Sequence, residues 1–447
     1  MANLIKLRKG LDINLKGKAA AEVVAVKEPG FYALCPADFT GITPKVVVKE
    51  QEYVMAGGPL FIDKNHPEVQ FVSPVSGVVT SVERGARRKV LSITAAQEQD
   101  YEEFGKEDVS KMDAVSVKAA LLKSGMFAFI KQRPYDIVAD PTVAPRAIFV
   151  SAFDTNPLAP DFELALKGEE ANFQTGLDAL AKIAKTYLGI SVNQKAAALT
   201  QAKNVTLTVF DGPHPAGNVG VQINNIAPIN KGETVWTIDP QAVIFIGRLF
   251  NTGHVDLTRL VAVTGSEVKK PSYCKLKVGA LLTNVFAGNV STDKNLRYIS
   301  GNVLTGKQIT ANGFLGAFHS QVTVIPEGDD VHEMLGWIMP RFDQFSTSHS
   351  YFSWLMGKKE YTLDARVKGG ERHMIMSNEY DRVLPMDIMP EYLIKAIIAG
   401  DIDRMEALGI YEVAPEDFAL CEFVCSSKME LQRIVREGLD MLRREMC

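Results

Sequence analysis

Cys421 and Cys425, separated by Glu422, Phe423 and Val424, are the closest-spaced cysteines in the chain. Thiolates at short spacing can hold an iron–sulfur cluster or a zinc ion. A cluster takes four cysteines, and a structural zinc takes four nitrogen or sulfur ligands. No histidine stands nearby, and Cys447, the other cysteine close in sequence, lies at the frayed end of the chain. The pair therefore reads as two small buried hydrophobes among helices, and no metal site is expected.

The second place for chemistry is the loop Asp211-Gly212-Pro213-His214-Pro215-Ala216-Gly217-Asn218-Val219-Gly220. Backbone N–H groups in such a loop can cradle a phosphate. Its two prolines and its Gly217-x-x-Gly220 spacing fall short of a dinucleotide fingerprint. A shaped structural or interface loop is the plainer reading. His214, Gly217 and Gly220 are its candidate residues. The seven histidines show neither a His-x-x-x-His pair nor a Ser/His/Asp order, so no catalytic residue is expected. The basic run Arg84, Arg87, Arg88 and Lys89 can face an acidic partner or simply water.

The elements that carry these residues belong to more than one core, because 447 residues exceed what a single core supports. Hydrophobic content of 46% and charged content of 23% are those of a globular protein. A net charge of -4 argues against nucleic acid as a partner. Five scattered cysteines suit a reducing compartment better than a disulfide framework. The N-terminal residues lack the apolar core of a signal peptide. No stretch approaches the roughly 20 apolar residues of a membrane helix, so the chain is expected to have no transmembrane segment.

Up to about residue 100 the pattern predicts short strands: Ala21–Val26, Val46–Lys49, Gln70–Val72, Gly77–Val82 and Val90–Thr94. Gly and Pro turns punctuate them, as in a compact all-β unit. Asp113–Ile130 has helical spacing, with Val115, Leu121, Leu122, Met126 and Phe129 on one face. From Ala147–Val150 onward strands and helices alternate: helix Glu169–Leu188, strand Val205–Val209, helix Asp239–Phe250, strand Leu260–Val263. That alternation predicts a parallel α/β unit. Residues 270–327 are again strand-dominated. From Pro390 the chain is helical, with Glu391–Ile398, Ile402–Ala407 and an amphipathic Leu431–Glu445.

Asp63-Lys64, followed by Ser73-Pro74-Val75-Ser76-Gly77, resembles the barrel-sandwich hybrid of lipoyl and biotinyl carriers, which are modified at a Lys in a tight hairpin. Here Asn65-His66-Pro67 follows the Lys, and proline cannot start a regular hairpin strand. An unmodified scaffold is the expectation.

Several ordered segments resemble one family, the A subunit of the Na+-translocating NADH:quinone reductase. They are Leu60-Phe61-Ile62-Asp63-Lys64 with Ser73–Gly77 and Arg84-Gly85-Ala86, Asp154-Thr155-Asn156-Pro157-Leu158-Ala159, and Phe210–Gly217. Ile299–Gly306, Leu384-Pro385-Met386-Asp387 and Ala419–Cys425 follow in order. The resemblance spans nearly the whole chain. Asn218–Asn224 and Ser426-Ser427-Lys428 depart from the family pattern.

The resemblance implies a multidomain α/β and α+β fold. A barrel-sandwich hybrid spans 1–106, a Rossmann-like α/β domain 107–268, a β-grasp domain 269–328, and a linker with a C-terminal helical bundle 329–447. It is similar in architecture to the flavin-bearing NADH subunit of complex I without the flavin and cluster residues. It implies a peripheral subunit on the cytoplasmic face of the bacterial inner membrane that binds no cofactor itself. Its partners are the other subunits, membrane subunits included, which carry FMN, FAD, riboflavin and Fe–S centres. The complex reduces ubiquinone or menaquinone. Segments corresponding to family regions near the quinone supply Phe39, Gly41, Phe129, Arg133, Pro134 and Tyr135 as quinone contacts. The aromatic rings suit stacking and the Arg suits donation to a carbonyl oxygen. The alternative is a non-redox carrier or docking scaffold.

Overall fold

The computed structural model describes residues 3–85, 88–95, 99–329, 335, 338–347, 351–357 and 359–446. The side chains of 83–85 and 88–92 are excepted. The side chains of the basic run Arg84, Arg87, Arg88 and Lys89 and the terminal Cys447 therefore lie outside the described residues. Among the described residues no helix is long and apolar enough to cross a membrane.

The N-terminal barrel-sandwich hybrid consists of two small antiparallel sheets. One runs in the order Phe31–Leu34, Arg88–Ala95, Gly77–Gly85, Tyr53–Val54, and the other Pro44–Val46, Pro59–Asp63, Gln70–Val72. In the second sheet the cross-strand partners Phe61 and Phe71 stack at 4.5 Å. Residues 21–26 form no strand and contribute only the isolated bridge of Val23 to Tyr273. Asp63 turns inward, and its carboxylate accepts from the N–H groups of Thr43 and Asn65 at 2.9 and 3.2 Å. Lys64 is exposed in the turn that follows.

The largest sheet has seven strands. Its parallel centre runs Thr206–Asp211, Thr186–Ser191, Ile148–Ser151, Val235–Ile238, and Ile130–Arg133 continues it antiparallel. Its far edge departs from expectation. Asn3–Lys6 pairs parallel with Thr206–Asp211 rather than joining the barrel-sandwich unit expected over 1–106. The strand Thr258–Thr264 also changes place. The expected α/β unit ends at 268 and would include it. It pairs instead with Ser272–Lys277 and Gln321–Pro326 in a five-stranded sheet.

A parallel sheet must be covered on both faces. Ile148 and Val150 point into the larger core with helices Glu170–Ile183 and Pro240–Thr252. Phe149, between them, points into a second core built by Val221, Ile223 and the C-terminal helices. Helices Glu170–Ile183 and Pro240–Thr252 touch through glycines. A Cβ on Gly247 would sit 1.7 Å from the Asn172 carbonyl oxygen, and one on Gly176 would sit 2.1 Å from that of Val243.

Two predicted helices are shorter than their periodicity suggests. Ala114–Lys123 stops before Gly125, whose φ of 73° begins a short 3-10 turn, Met126–Phe129, leading into strand Ile130–Arg133. Val117 and Leu121 are the buried positions of that helix, while Val115 is 75% exposed. Glu170–Ile183 likewise ends early, because Thr186–Ser191 is needed as a central strand. The C-terminal helix Leu431–Met446 buries Leu431, Ile434, Val435, Leu439 and Leu442 as its pattern predicts.

Candidate functional site

A cavity of about 420 Å³ opens at the carboxyl ends of the central parallel strands. Strand Ile148–Ser151 leads into it through Phe153, Asp154 and Asn156, and strand Val235–Ile238 through Asp239. The carboxyl ends of the strands are where open α/β sheets bind their ligands. Gly301, His319 and Gln321 from the five-stranded sheet close one side, and Glu416 and Gln432 from the C-terminal helical region another.

Each polar group is held locally. Asp239 caps helix Pro240–Thr252 by accepting from the N–H groups of Gln241 and Ala242 at 2.9 and 3.2 Å, with Pro240 in the first turn. Asp154 accepts from the backbone N–H and the side-chain amide of Asn156 at 2.7 and 2.8 Å. The loop 211–218 docks on the same segment. Thr155 Oγ1 accepts from the Gly217 N–H at 2.9 Å, and Ser151 Oγ donates to the Gly217 carbonyl at 2.8 Å.

Charge in the cavity is mostly negative. Asp136, Asp154, Asp161, Asp239 and Glu416 line it against Lys131. Asp154 reaches solvent through the mouth, yet protein surrounds its carboxyl group. That burial and the nearby Asp239 push its pKa up. Burial, with Asp417 adding to it, raises Glu416 to about 7, while Arg133 opposes. His319 is held neutral by burial, its pKa down to about 4, and its Nδ1 pairs with Ser300 Oγ at 2.8 Å. Lys131 lies 4.8 Å from the Phe318 ring centroid. Phe129 and Phe318 meet edge to face at 5.8 Å and form an aromatic wall.

The residues predicted from sequence are scattered around this site. Phe129 and Gly217 line the cavity. Phe39 is buried behind Phe129 and Phe318, at 6.3 and 5.4 Å from their rings. Arg133 is also buried and donates to Asp417 and to the Glu412 carbonyl, each at 2.7 Å. Pro134 follows it through a cis peptide bond, and the Tyr135 carbonyl accepts from Arg436 at 2.7 Å. The Gly41 carbonyl accepts from Arg443 at 3.0 Å. Arg133, Tyr135 and Gly41 thus join the α/β and barrel units to the C-terminal helices. Gly220 makes room for the Arg133–Asp417 pair, since a Cβ there would meet both within 2.4 Å. His214 is buried and neutral, its pKa lowered to about 4 by burial, with Nδ1 at 3.2 Å from Thr155 Oγ1.

Sequence reasoning missed Lys131, Asp154, Glu416, His319 and Gln321. Asp154 sits in a segment singled out for its pattern, and its position directly after a buried strand was the available signal. Cys421 and Cys425 are buried in the helical core, where Cys425 Sγ pairs with the Tyr380 hydroxyl at 3.0 Å. Burial drives the Cys421 thiol far above its usual range. Among the described residues no three His, Cys, Asp or Glu side chains are grouped to hold a metal.

Residues 5–98 match the family described as NqrA N-terminal barrel-sandwich hybrid domain. Residues 112–255 match NqrA second alpha/beta domain, and 260–311 match NQRA C-terminal domain. A protein of Yersinia pestis bv. Antiqua (strain Angola), named as the A subunit of Na(+)-translocating NADH-quinone reductase, is 35% identical, over 99% of this chain and all of its own length. Proteins of the same name from Serratia proteamaculans (strain 568) and Neisseria meningitidis serogroup B are 36% and 35% identical over the same shares. Among solved structures, a chain of the NAD+-reducing [NiFe]-hydrogenase in the H2-reduced state aligns with 78% of this chain and 67% of its own. Its TM-score is 0.37 and its identity 11%.

Proposed function

Because the chain belongs to the A-subunit family of Na(+)-translocating NADH-quinone reductase, we propose that its cavity receives the quinone headgroup on which the complex acts. The chain is one component of that oxidoreductase complex. The observation that carries the quinone reading is the character of the cavity. It offers an aromatic wall and an excess of acidic groups. A phosphate-bearing nucleotide would meet repulsion there, whereas a neutral planar ring would not.

Reduction of a quinone to a quinol takes two electrons and two protons, and each carbonyl becomes a hydroxyl. The electrons reach the ring from flavin and iron–sulfur centres (FMN, FAD, riboflavin, Fe–S) on partner subunits, with ubiquinone or menaquinone as acceptor. Phe129 and Phe318 pack against the ring. Glu416 keeps its proton up to about pH 7 and is suited to hand it to a quinone oxygen. Phe39, Gly41, Arg133, Pro134 and Tyr135 act behind this wall by fixing strand Ile130–Arg133, which carries Lys131, and the turn before it, which ends at Phe129.

The finer architecture belongs to the same reading. The central strand order supports a Rossmann-like α/β domain. The mixed five-stranded sheet with its short helix Thr283–Phe286 supports a β-grasp domain, and the remaining C-terminal helices form a bundle. We place the chain peripherally, on the cytoplasmic face, held by membrane partners. Exposed apolar side chains at Ile338, Met339, Phe342, Trp354 and Leu355 support burial against another component of the complex.

In the assembled complex, Phe129→Leu and Phe318→Leu should raise the KM for quinone several-fold while NADH oxidation by an artificial acceptor is unchanged. Unchanged quinone kinetics in both variants would leave the chain as a docking scaffold.

A further inference from the structure

Three amide side chains lining the cavity are at least nine-tenths buried: Asn156, Asn218 and Gln321, at 8, 3 and 3% exposure. In each the orientation is fixed by what the nitrogen does. Asn156 Nδ2 donates to the Asp154 carboxylate at 2.8 Å and Asn218 Nδ2 to the Glu416 carbonyl at 3.4 Å. Gln321 Nε2 donates to the Pro157 carbonyl at 3.3 Å and to the Thr264 and Thr323 hydroxyls at 3.1 and 3.0 Å, which themselves donate to the Val322 and Gly301 carbonyls. A carboxylate or carbonyl cannot donate and those hydroxyl protons are already placed, so flipping any amide would set oxygen against oxygen. Their three oxygens have no partner among the described residues.

The three amides share one anchorage. Asn156 lies within the segment 153–157, and Gln321 is tied to Pro157. Asn218 follows Gly217, whose N–H bonds Thr155. The carboxylate of Asp154 belongs to the same segment and lines the cavity with the three amides. The segment therefore gathers acceptors with nothing to accept from. A buried acceptor without a partner is costly, and three such oxygens lining one cavity with the Asp154 carboxylate suit a positive charge.

We infer that the cavity holds an alkali-metal cation against the 153–157 segment, ligated by the amide oxygens of Asn156, Asn218 and Gln321 and by Asp154. Oxygen-only ligation suits a hard cation. Three neutral oxygens with one carboxylate match a single positive charge, and the described residues offer no three-carboxylate or histidine group for a more highly charged ion. The inference uses the same cavity as the proposed quinone site but does not rest on that reading.

The test uses the isolated full chain without quinone, so that its failure leaves the quinone reading untouched. Thermal unfolding is compared in sodium, potassium and N-methyl-D-glucamine chloride at equal ionic strength. Sodium or potassium should raise Tm saturably over the organic cation, and sodium NMR relaxation should report exchange with the chain. Asn218→Ala and Asp154→Asn should each weaken the apparent cation affinity about tenfold or more, with circular dichroism unchanged. Identical Tm in all three salts, with unperturbed sodium relaxation, would mean that water alone fills the site and would overturn the inference. A response to magnesium or calcium alone would overturn the choice of a monovalent ion. Undiminished affinity in both folded variants would overturn the assigned ligands. If either variant fails to fold, the salt comparison and the relaxation measurement on the unsubstituted chain decide.

Discussion

Arg133 and Asp417 meet at 2.7 Å across 284 positions of sequence, both side chains almost wholly shielded from water. Asp417 also accepts from the Ala414 N–H at 2.9 Å, and Arg133 donates to the Glu412 carbonyl. The pair thereby ties strand Ile130–Arg133 of the large sheet to the turn that carries Glu416 into the cavity. Removing either partner strands the other charge. Asp417→Ala and Arg133→Ala should each lower the unfolding free energy by about 3–5 kcal/mol, and the paired Arg133→Met, Asp417→Leu variant should recover part of that loss. Denaturant titration of all three checks it. A loss confined to quinone kinetics, with stability intact, would contradict this structural role.

Gly247 should be intolerant of a methyl group. Its Cβ would lie inside the van der Waals shell of the Asn172 carbonyl, so helices Glu170–Ile183 and Pro240–Thr252 must separate. Gly247→Ala is expected to cost about 1–3 kcal/mol in spite of the better helix propensity of alanine. A thermal melt showing equal or greater stability would show that the helices can part without penalty.

Glu416 gives stability a pH dependence of definite sign. Its folded pKa, about 7, lies above its ordinary 4.5, so the folded state holds the proton more tightly than the unfolded one. The associated stabilisation is complete below the ordinary value and is lost as pH rises through about 7. Glu416→Gln, neutral throughout, should flatten that fall between pH 5 and 7 in unfolding free energies measured at each pH. Parallel curves for the two proteins would refute the assignment.

Phe39 and Phe129 should separate packing from contact. Phe39 is 3% exposed and packs on Phe71 and Phe318 without lining the cavity, whereas Phe129 lines it. In the assembled complex Phe39→Leu is expected to lower Tm with an unchanged KM for quinone, and Phe129→Leu to raise that KM. Equal effects on KM would remove the distinction.

Local chemistry was legible in the sequence where it is written in neighbouring residues. The helix expected over Asp239–Phe250 is found as Pro240–Thr252, and Leu431–Met446 carries its buried stripe in its own period. The barrel-sandwich turns and the alternation of strands with helices were readable for the same reason. The cavity was not, because its lining runs from Phe129 to Gln432 and only the tertiary fold brings those residues together. Arg133 looked like a free donor because its partner lies 284 residues away. Gly125 and the need for a central strand at Thr186–Ser191 cut short two helices whose apolar period continued past their ends.

The pairing of Asn3–Lys6 with Thr206–Asp211 also bears on how the protein is made. A ribosome releases the first of these strands long before the second exists, so Asn3–Lys6 must wait for its partner. While it waits, the barrel-sandwich unit can collapse behind it, since its own pairings lie within residues 31–95. The large sheet acquires that edge only after more than two hundred residues have been synthesised. Such distant closure slows folding, and it leaves that strand exposed to chaperones and proteases until about the middle of translation.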